Sequence, residues 1–311
     1  MIYISVTEAA TQWNISKELV RRYCRQGRIP SAKYDDGIWF IPIGSAKPQR
    51  LNVPSDVPTL LPSLAKKLQN QKKKRNYHGL YDYVQTHLTY SSCRMASNRL
   101  TLTQIEEIYH TGKVSIAFEP MKISDLIEAQ THIFCIDYII DHVQDVLSPA
   151  YIKNLHHILT CGTVDERLGR VAPGAYRKQN YPNKHYQINA TQVTNTLALL
   201  TQEYESISHK TLISILDFHI KFETIAPFED ANGRLGRMIL FKECLRHNVM
   251  PFIVDDKHRA QYLHGIRSWP SDTDILLSLA SVLQDSFRSQ IAYHKLLAIQ
   301  QSRNASDEYV D

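Results

Sequence analysis

From Gly79 onward, almost every segment repeats apolar residues at spacings of three and four. Leu80, Val84 and Leu88 form one stripe, Ile127 and Thr131 another, Ile136 and Ile140 a third. Leu212, Leu216 and Ile220 continue the pattern, with Ile215, Phe222 and Ile225 beside them. That period gathers apolar side chains on one helix face, which other helices must cover. The large part of the chain is therefore predicted to be all-α. His132, His156 and His157 lie on or near these stripes and read as packed or hydrogen-bonded histidines. With 311 residues, about two domains are expected. A hydrophobic fraction of 43% and a charged fraction of 22% are those of a soluble globular protein.

The first residues follow another pattern. Ile2 to Val6 alternates like a short strand, and Thr7 to Trp13 reads as a helix behind a Thr7 cap. Asn14 and Ile15 make a tight turn, Ser16 caps a second helix from Lys17 to about Gln26, and Gly27 stops it. Ser31–Tyr34 and Ile38–Pro42 then form a hairpin across Asp35-Asp36-Gly37. Residues 1–45 are thus predicted to be a small winged helix-turn-helix. They resemble excisionase- and MerR-like DNA-binding modules, on Ala9-Ala10, Gly27-Arg28-Ile29-Pro30 and the Trp-Phe-Ile-Pro strand. The second helix carries Lys17, Arg21, Arg22 and Arg25, which suit phosphates and guanine edges. A solvated basic helix in a protein-docking module is the other reading.

Residues 46–78 read as a linker and basic segment. Pro48, Pro54, Pro58 and Pro62 punctuate its first part, and Lys66-Lys67 and Lys72 to Arg75 charge its second. The charge run is expected to be a solvated helix face, or else an extension of the DNA footprint. A net charge of +5 permits a polyanionic partner without demanding one. Five cysteines without a Cys-x-x-Cys pair suit a reducing compartment. No apolar run reaches about eighteen residues, so a cytoplasmic protein with no membrane partner is expected.

The chemistry concentrates at Thr224-Ile-Ala-Pro-Phe-Glu-Asp-Ala-Asn-Gly-Arg-Leu-Gly-Arg237. Pro227 and Phe228 end one helical segment, Ala231-Asn232-Gly233 makes a small-residue turn, and Arg234 and Arg237 follow on the next. A helix start of this kind turns N–H groups and its positive dipole end toward one spot, which favours an anion. Asp230 can hold Mg²⁺, which binds through one or two carboxylates plus substrate phosphates. Arg matches phosphate oxygens with a planar fork.

This stretch resembles the signature of the Fic family, His-Pro-Phe-x-Asp/Glu-Gly-Asn-Gly-Arg-x-x-Arg, and the likeness extends over roughly 80–270. It implies a Fic-type helical bundle at 79–311, with the motif at 226–237 and a small β-hairpin flap. Most family members transfer AMP from ATP to a protein hydroxyl, with Mg²⁺. Ala226 stands where the family has the catalytic His, and Ala231 where it usually has Gly. Carried over, Asp230 holds the metal, and Ala231, Asn232, Gly233, Arg234 and Gly236 form the nucleotide cradle. Arg234 braces the β-phosphate and Arg237 the γ-phosphate; Tyr262 and Leu263 stand where an aromatic wall meets adenine. Asp230, Asn232 and Arg234 then count with position 226 as the catalytic set. The resemblance also places an inhibitory helix at Ser91–Leu102, in which a Glu normally faces the second arginine. Ser92 is present but Ala96 takes the Glu position, so Arg237 is expected to be free.

Residues 172–188 resemble the flap that pairs with a target segment by strand addition, with Tyr176, Arg177 and Tyr186 as docking residues; a plain connecting loop is the alternative. The implied partners are a target protein, the chain itself among the candidates, and DNA through residues 1–45. The amphipathic stretch Thr273 to Gln301 offers a surface for a homodimer. An enzyme impaired by Ala226 is the leading reading. A DNA-binding regulator whose Fic-like domain only senses nucleotide is the alternative, and GTP, UDP-sugar or CDP-choline remain open as donors.

Overall fold

The computed structural model describes residues 3–25, 29–35, 38–47, 63–75, 78–114, 121–180 and 188–307, with the side chains of Arg22, Arg25 and the end of the last helix left aside. The chain divides into two units, Met1–Leu61 and Pro62–Asp311.

In the first unit, β1 (Tyr3–Ser5) leads into α1 (Val6–Trp13) and α2 (Lys17–Arg25), and β2 (Lys33–Asp35) and β3 (Ile38–Pro42) follow. The antiparallel sheet runs in the order β1-β3-β2, with Ile4 opposite Ile41 and Tyr34 opposite Trp39. The cap of α1 is Ser5, two residues earlier than the expected Thr7. Ser5 and Glu8 have the spacing of a capping box: Glu8 N–H donates to Ser5 Oγ (3.2 Å) and Ser5 N–H to Glu8 Oε2 (2.7 Å). Asn14 closes α1 in the left-handed region (φ 51°), and Ser16 Oγ accepts from Leu19 N–H at α2. Ala9, Trp13, Val20, Tyr23 and Ile41 form the small core. Lys17 is exposed and Arg21 half-buried on α2; the expected Asp36-Gly37 turn lies outside the described residues.

The second unit begins with α3 (Leu64–Lys74), which carries the basic run. One face of it is not solvated: Ala65 and Leu68 are buried in the large core, and Gln69 Nε2 donates to Ile140 O (2.9 Å). Lys72 Nζ reaches Asp141 at 2.7 Å. The basic segment therefore packs into the helical unit, because its apolar positions 65 and 68 share one helix face. The proline-rich stretch from Pro48 to Pro62 lies outside the described residues.

Then come α4 (Leu80–Met95), α5 (Leu102–Thr111), α6 (Ile123–Asp141), α7 (Pro149–Thr160), the short α8 (Val164–Arg167), α9 (Val193–Ser206), α10 (Leu212–Ile225), α11 (Asn232–Arg246), α12 (Arg259–Ser268) and α13 (Asp274–Asp307). The centre of the bundle is α11, buried from Arg234 to Leu245 and packed by α10, α6, α3, α4 and α7. Gly236 permits the closest approach: a Cβ there would stand 3.1 Å from the His219 ring and 3.2 Å from Glu223 Oε1 on α10.

A helix enclosed on all sides must find partners for its charges inside. Lys242 and Glu243 are wholly buried and meet at 2.7 Å. Tyr204 Oη donates to Glu243 Oε2 (2.9 Å), and Lys242 Nζ donates to Asp145 O. Burial alone would push the Glu243 carboxyl up. The hydrogen bond to His247 and the charges of Lys242 and Arg246 outweigh it and bring the pKa down to about 2. This network ties the back of α11 to α9 and to the α6–α7 connection.

Candidate phosphate site at the corner of α10 and α11

Ile225 ends α10, and Ala226 follows as its cap with φ 43°. Pro227 lacks the N–H that would continue the helix. Ala231 then enters α11 with φ 64°. Two alanines in the left-handed region bracket the corner, at a cost of about 1–2 kcal/mol each. Surrounding contacts hold them there. The Asn232 amide staples the loop: its Oδ1 accepts from Phe228 N–H (3.0 Å) and its Nδ2 donates to Phe228 O (2.8 Å). Phe228 is buried and stacks on His156, ring centroids 3.8 Å apart. Arg177 N–H donates to Pro227 O and its Nε to Ala226 O, both at 2.9 Å.

No side chain caps α11, so its first turn presents the positive end of the dipole to the loop. Asp230 is half-exposed, and its Oδ2 accepts from Arg234 Nη2 (2.9 Å). Arg234 itself is buried, with Nη1 also 3.2 Å from Glu128 Oε2 on α6. Burial opposes the Arg234 charge, but Glu128 and Asp230 outweigh it and raise its pKa. Burial likewise pushes the Glu128 carboxyl up against the pull of Arg234. Arg234 Nε and Nη1 have no aligned hydrogen-bond acceptor, although both are buried. The unpartnered Nε, the uncapped helix start and the exposed half of Asp230 fit a phosphate–Mg²⁺ pair.

Arg237 departs from expectation. Ala96 leaves no carboxylate at its position, yet Arg237 is not free: Nε donates to Ser92 Oγ (3.1 Å) and Nη2 to Ser92 O (2.9 Å). Ser92 sits on the last turns of α4, while Ala96 caps that helix and is exposed. The main-chain carbonyl at Ser92 does what sequence reasoning reserved for a side-chain carboxylate. Tyr262 is also misplaced by the sequence reading. It is 1% exposed, with its hydroxyl on His219 Nε2 (2.5 Å) and facing Arg237 and Glu223, so it offers no face to an adenine. Leu263 beside it is half-buried against the core.

In the expected flap, Tyr176 packs near Phe228 under Lys153, whose Nζ lies 4.1 Å from the ring centroid. The Arg177 guanidinium is committed to Ala226 O and Ile225 O at the corner and to Gln179 O and Ile188 O of its own segment, which makes it a brace rather than a docking group. Tyr186 lies outside the described residues. Sequence reasoning missed Glu223 and the pairing of Glu128. Glu223 had a signal, since it lies one turn before Ala226 on α10; Glu128 reaches the site only through tertiary packing.

Residues 146–243, which include this corner, match the model of the Fic/DOC family. A search of curated proteins found no match. Among solved structures, the fold resembles a Fic-domain-containing signaling protein from Bacteroides thetaiotaomicron (TM-score 0.59, 18% identity, 74% of this chain and 96% of that one). It also resembles Fic-1 from C. elegans (0.56, 16%, 73% and 70%) and a Fic family protein from Desulfovibrio desulfuricans (0.53, 19%, 74% and 72%). The bundle is thus a Fic-type helical fold. Among the described residues, no helix is long and apolar enough to cross a membrane.

Buried histidines around the corner set a pH dependence. Burial, then the charges of Arg234 and Arg237, lower His132 to about 3; burial lowers His156 to about 4. Both fold as neutral rings while the unfolded chain titrates near 6.5. Their contribution is complete above that value and is lost as pH falls toward the folded values. Urea denaturation between pH 7 and 5 should show stability falling, approaching about 1.4 kcal/mol per pH unit per histidine. His156→Gln should make that slope shallower by one proton's worth. An unchanged slope would contradict the neutral, buried assignment.

Proposed function

We propose that this chain is a Fic-type nucleotidyltransferase module that binds a Mg²⁺–nucleotide at the α10–α11 corner and transfers poorly. The observation that carries it is the uncapped α11 start, with Asp230 and the buried, unbonded Nε of Arg234 beside it, inside the segment matching the Fic/DOC model. In the family's common reaction, AMP moves from ATP to a protein hydroxyl. Here the first-turn N–H groups of α11 and the Arg234 guanidinium would take phosphate oxygens. Glu128 and Asp230 keep that guanidinium charged and fixed, and the Asp230 oxygen not held by Arg234 would face Mg²⁺. Catalysis in such a site is mostly positioning and charge stabilisation.

What position 226 lacks is the proton acceptor that the family's His supplies. The Ala226 methyl accepts nothing, and His156 is locked beneath Phe228 with Nδ1 accepting from Gly174 N–H (2.9 Å). Loss of a general base costs about 10²–10⁴-fold in rate. Position 226 has the left-handed backbone that His tolerates better than most residues. Ala226→His should therefore raise transfer of label from α-labelled ATP, to the chain itself or to proteins of a lysate, by about 10²-fold or more. Equal labelling by both chains would contradict the reading.

A second activity is proposed for the first unit. Its strand, two helices joined at Asn14 and hairpin present α2 with Lys17 and Arg21. We propose that it binds duplex DNA. A gel shift with genomic fragments should show a complex that weakens steeply between 50 and 200 mM salt, roughly 10-fold or more, and weakens further in Lys17→Ala/Arg21→Ala. No complex at low salt would contradict it.

A further inference from the structure

We propose that the exposed face of α3 is a second contact with duplex DNA, made by Lys66, Lys73, Lys74 and Arg75 to the phosphate backbone and not to the bases. The choice of DNA rests on the reading of the first unit; the cations belong to the helical unit alone. Packing fixes their face. Ala65 and Leu68 are buried in the large core, Gln69 donates to Ile140 O, and Lys72 is held by Asp141 on α6. Lys66, Asn70, Lys73, Lys74 and Arg75 remain exposed, with no apolar side chain of α3 among them. At 1.5 Å per residue, the row from Lys66 to Lys74 is about 12 Å long. Among the described residues, none of its cations is in an ion pair, whereas Lys72 on the other side is.

Helix physics accounts for only half of these charges. Lys72, Lys73 and Lys74 occupy the last turn, where the negative end of the dipole favours them. Lys66 and Lys67 lie at the opposite end. The first turn of α3 holds no acidic residue, and the dipole opposes a cation there. Ser63 Oγ accepts from Lys66 N–H (3.4 Å), and a Glu at that position would close a capping box; the chain has Lys instead. Folding brings one more cation to the same end. Burial first, and then the charge of Lys295 on α13, hold the Lys67 ammonium below its usual range. Like charges set together against the dipole oppose folding, and a polyanion outside the protein offsets them.

Two features select the partner. A helix that binds a membrane lays its apolar face among the lipids, whereas the apolar face of α3 is buried in the core. Lysine is a compact, hydrated point charge on a flexible stem, which suits phosphates and gives contact independent of sequence. The segment 48–62 between the units spans at most about 55 Å. A duplex held by Lys17 and Arg21 therefore stays within tether reach of α3, at a raised effective concentration.

Fluorescence anisotropy on the full chain, with two labelled duplexes of unrelated sequence, tests this. Lys66→Ala/Lys73→Ala/Lys74→Ala should weaken both duplexes alike, about tenfold or more at about 100 mM salt. It should also make the slope of log affinity against log salt shallower by about two to three. Arginine at the same three positions should stay within about threefold of the parent. Lys66→Glu alone should weaken binding while raising the melting temperature, a pair of effects that a merely structural lysine would not give. Parent affinity and slope in the triple-alanine chain, with loss in Lys17→Ala/Arg21→Ala, would overturn the inference and leave the reading of the first unit standing. Phosphatidylserine vesicles released by the triple-alanine chain while DNA binding is unchanged would overturn the choice of partner. No complex of the parent chain with either duplex at low salt would overturn both readings.

Discussion

The structure depends on a central helix that is enclosed by other helices and yet is charged at both ends. Burial of α11 forbids leaving Arg234, Arg237, Lys242 or Glu243 unpaired, since an isolated charge in a protein interior costs several kcal/mol. Each partner therefore fixes a neighbouring element. Lys242 and Glu243 bind the back of α11 to Tyr204 on α9 and to Asp145. Arg237 binds the front to the end of α4 through Ser92, and Arg234 binds the first turn to Glu128 on α6. The bundle is positioned around these pairs as much as around its apolar stripes.

The same constraint divides the front of α11 into two halves with different chemistry. Arg237 gives two of its edges to Ser92, whereas Arg234, paired with Glu128 and Asp230, keeps a buried Nε that neither takes up. Unused buried donors are rare in native structures, and they draw attention to a ligand. The left-handed Ala226 and Ala231 add local strain on either side of the corner, of the kind that persists where surrounding contacts over-determine a functional backbone. Asn232 and Arg177 supply those contacts through Phe228 O and Ala226 O.

Much of this was legible in the sequence. The period of three and four along Leu212–Ile225 gives α10, Pro227 gives its end, and Ala231-Asn232-Gly233 gives the start of α11. The strand, helices and hairpin segments of the first unit follow from alternation and turn residues. What sequence could not give was partnership over distance. Ser92 meets Arg237 across 145 positions through a main-chain carbonyl, a group that every residue carries. The family resemblance sets Tyr262 against an adenine, whereas its hydroxyl is held by His219 on another helix. The basic run at Lys66–Arg75 reads as a solvated helix face, which Lys66, Lys73 and Lys74 do form, while the apolar Ala65 and Leu68 seat the other face of α3 on the core.

A crystal structure of the chain soaked with Mg²⁺ and ADP tests the central claim most directly. The account predicts phosphate oxygens within about 3 Å of the first-turn N–H groups of α11 and of Arg234, with the metal against Asp230. Nucleotide bound elsewhere, with Arg234 and the helix start bare, would contradict it.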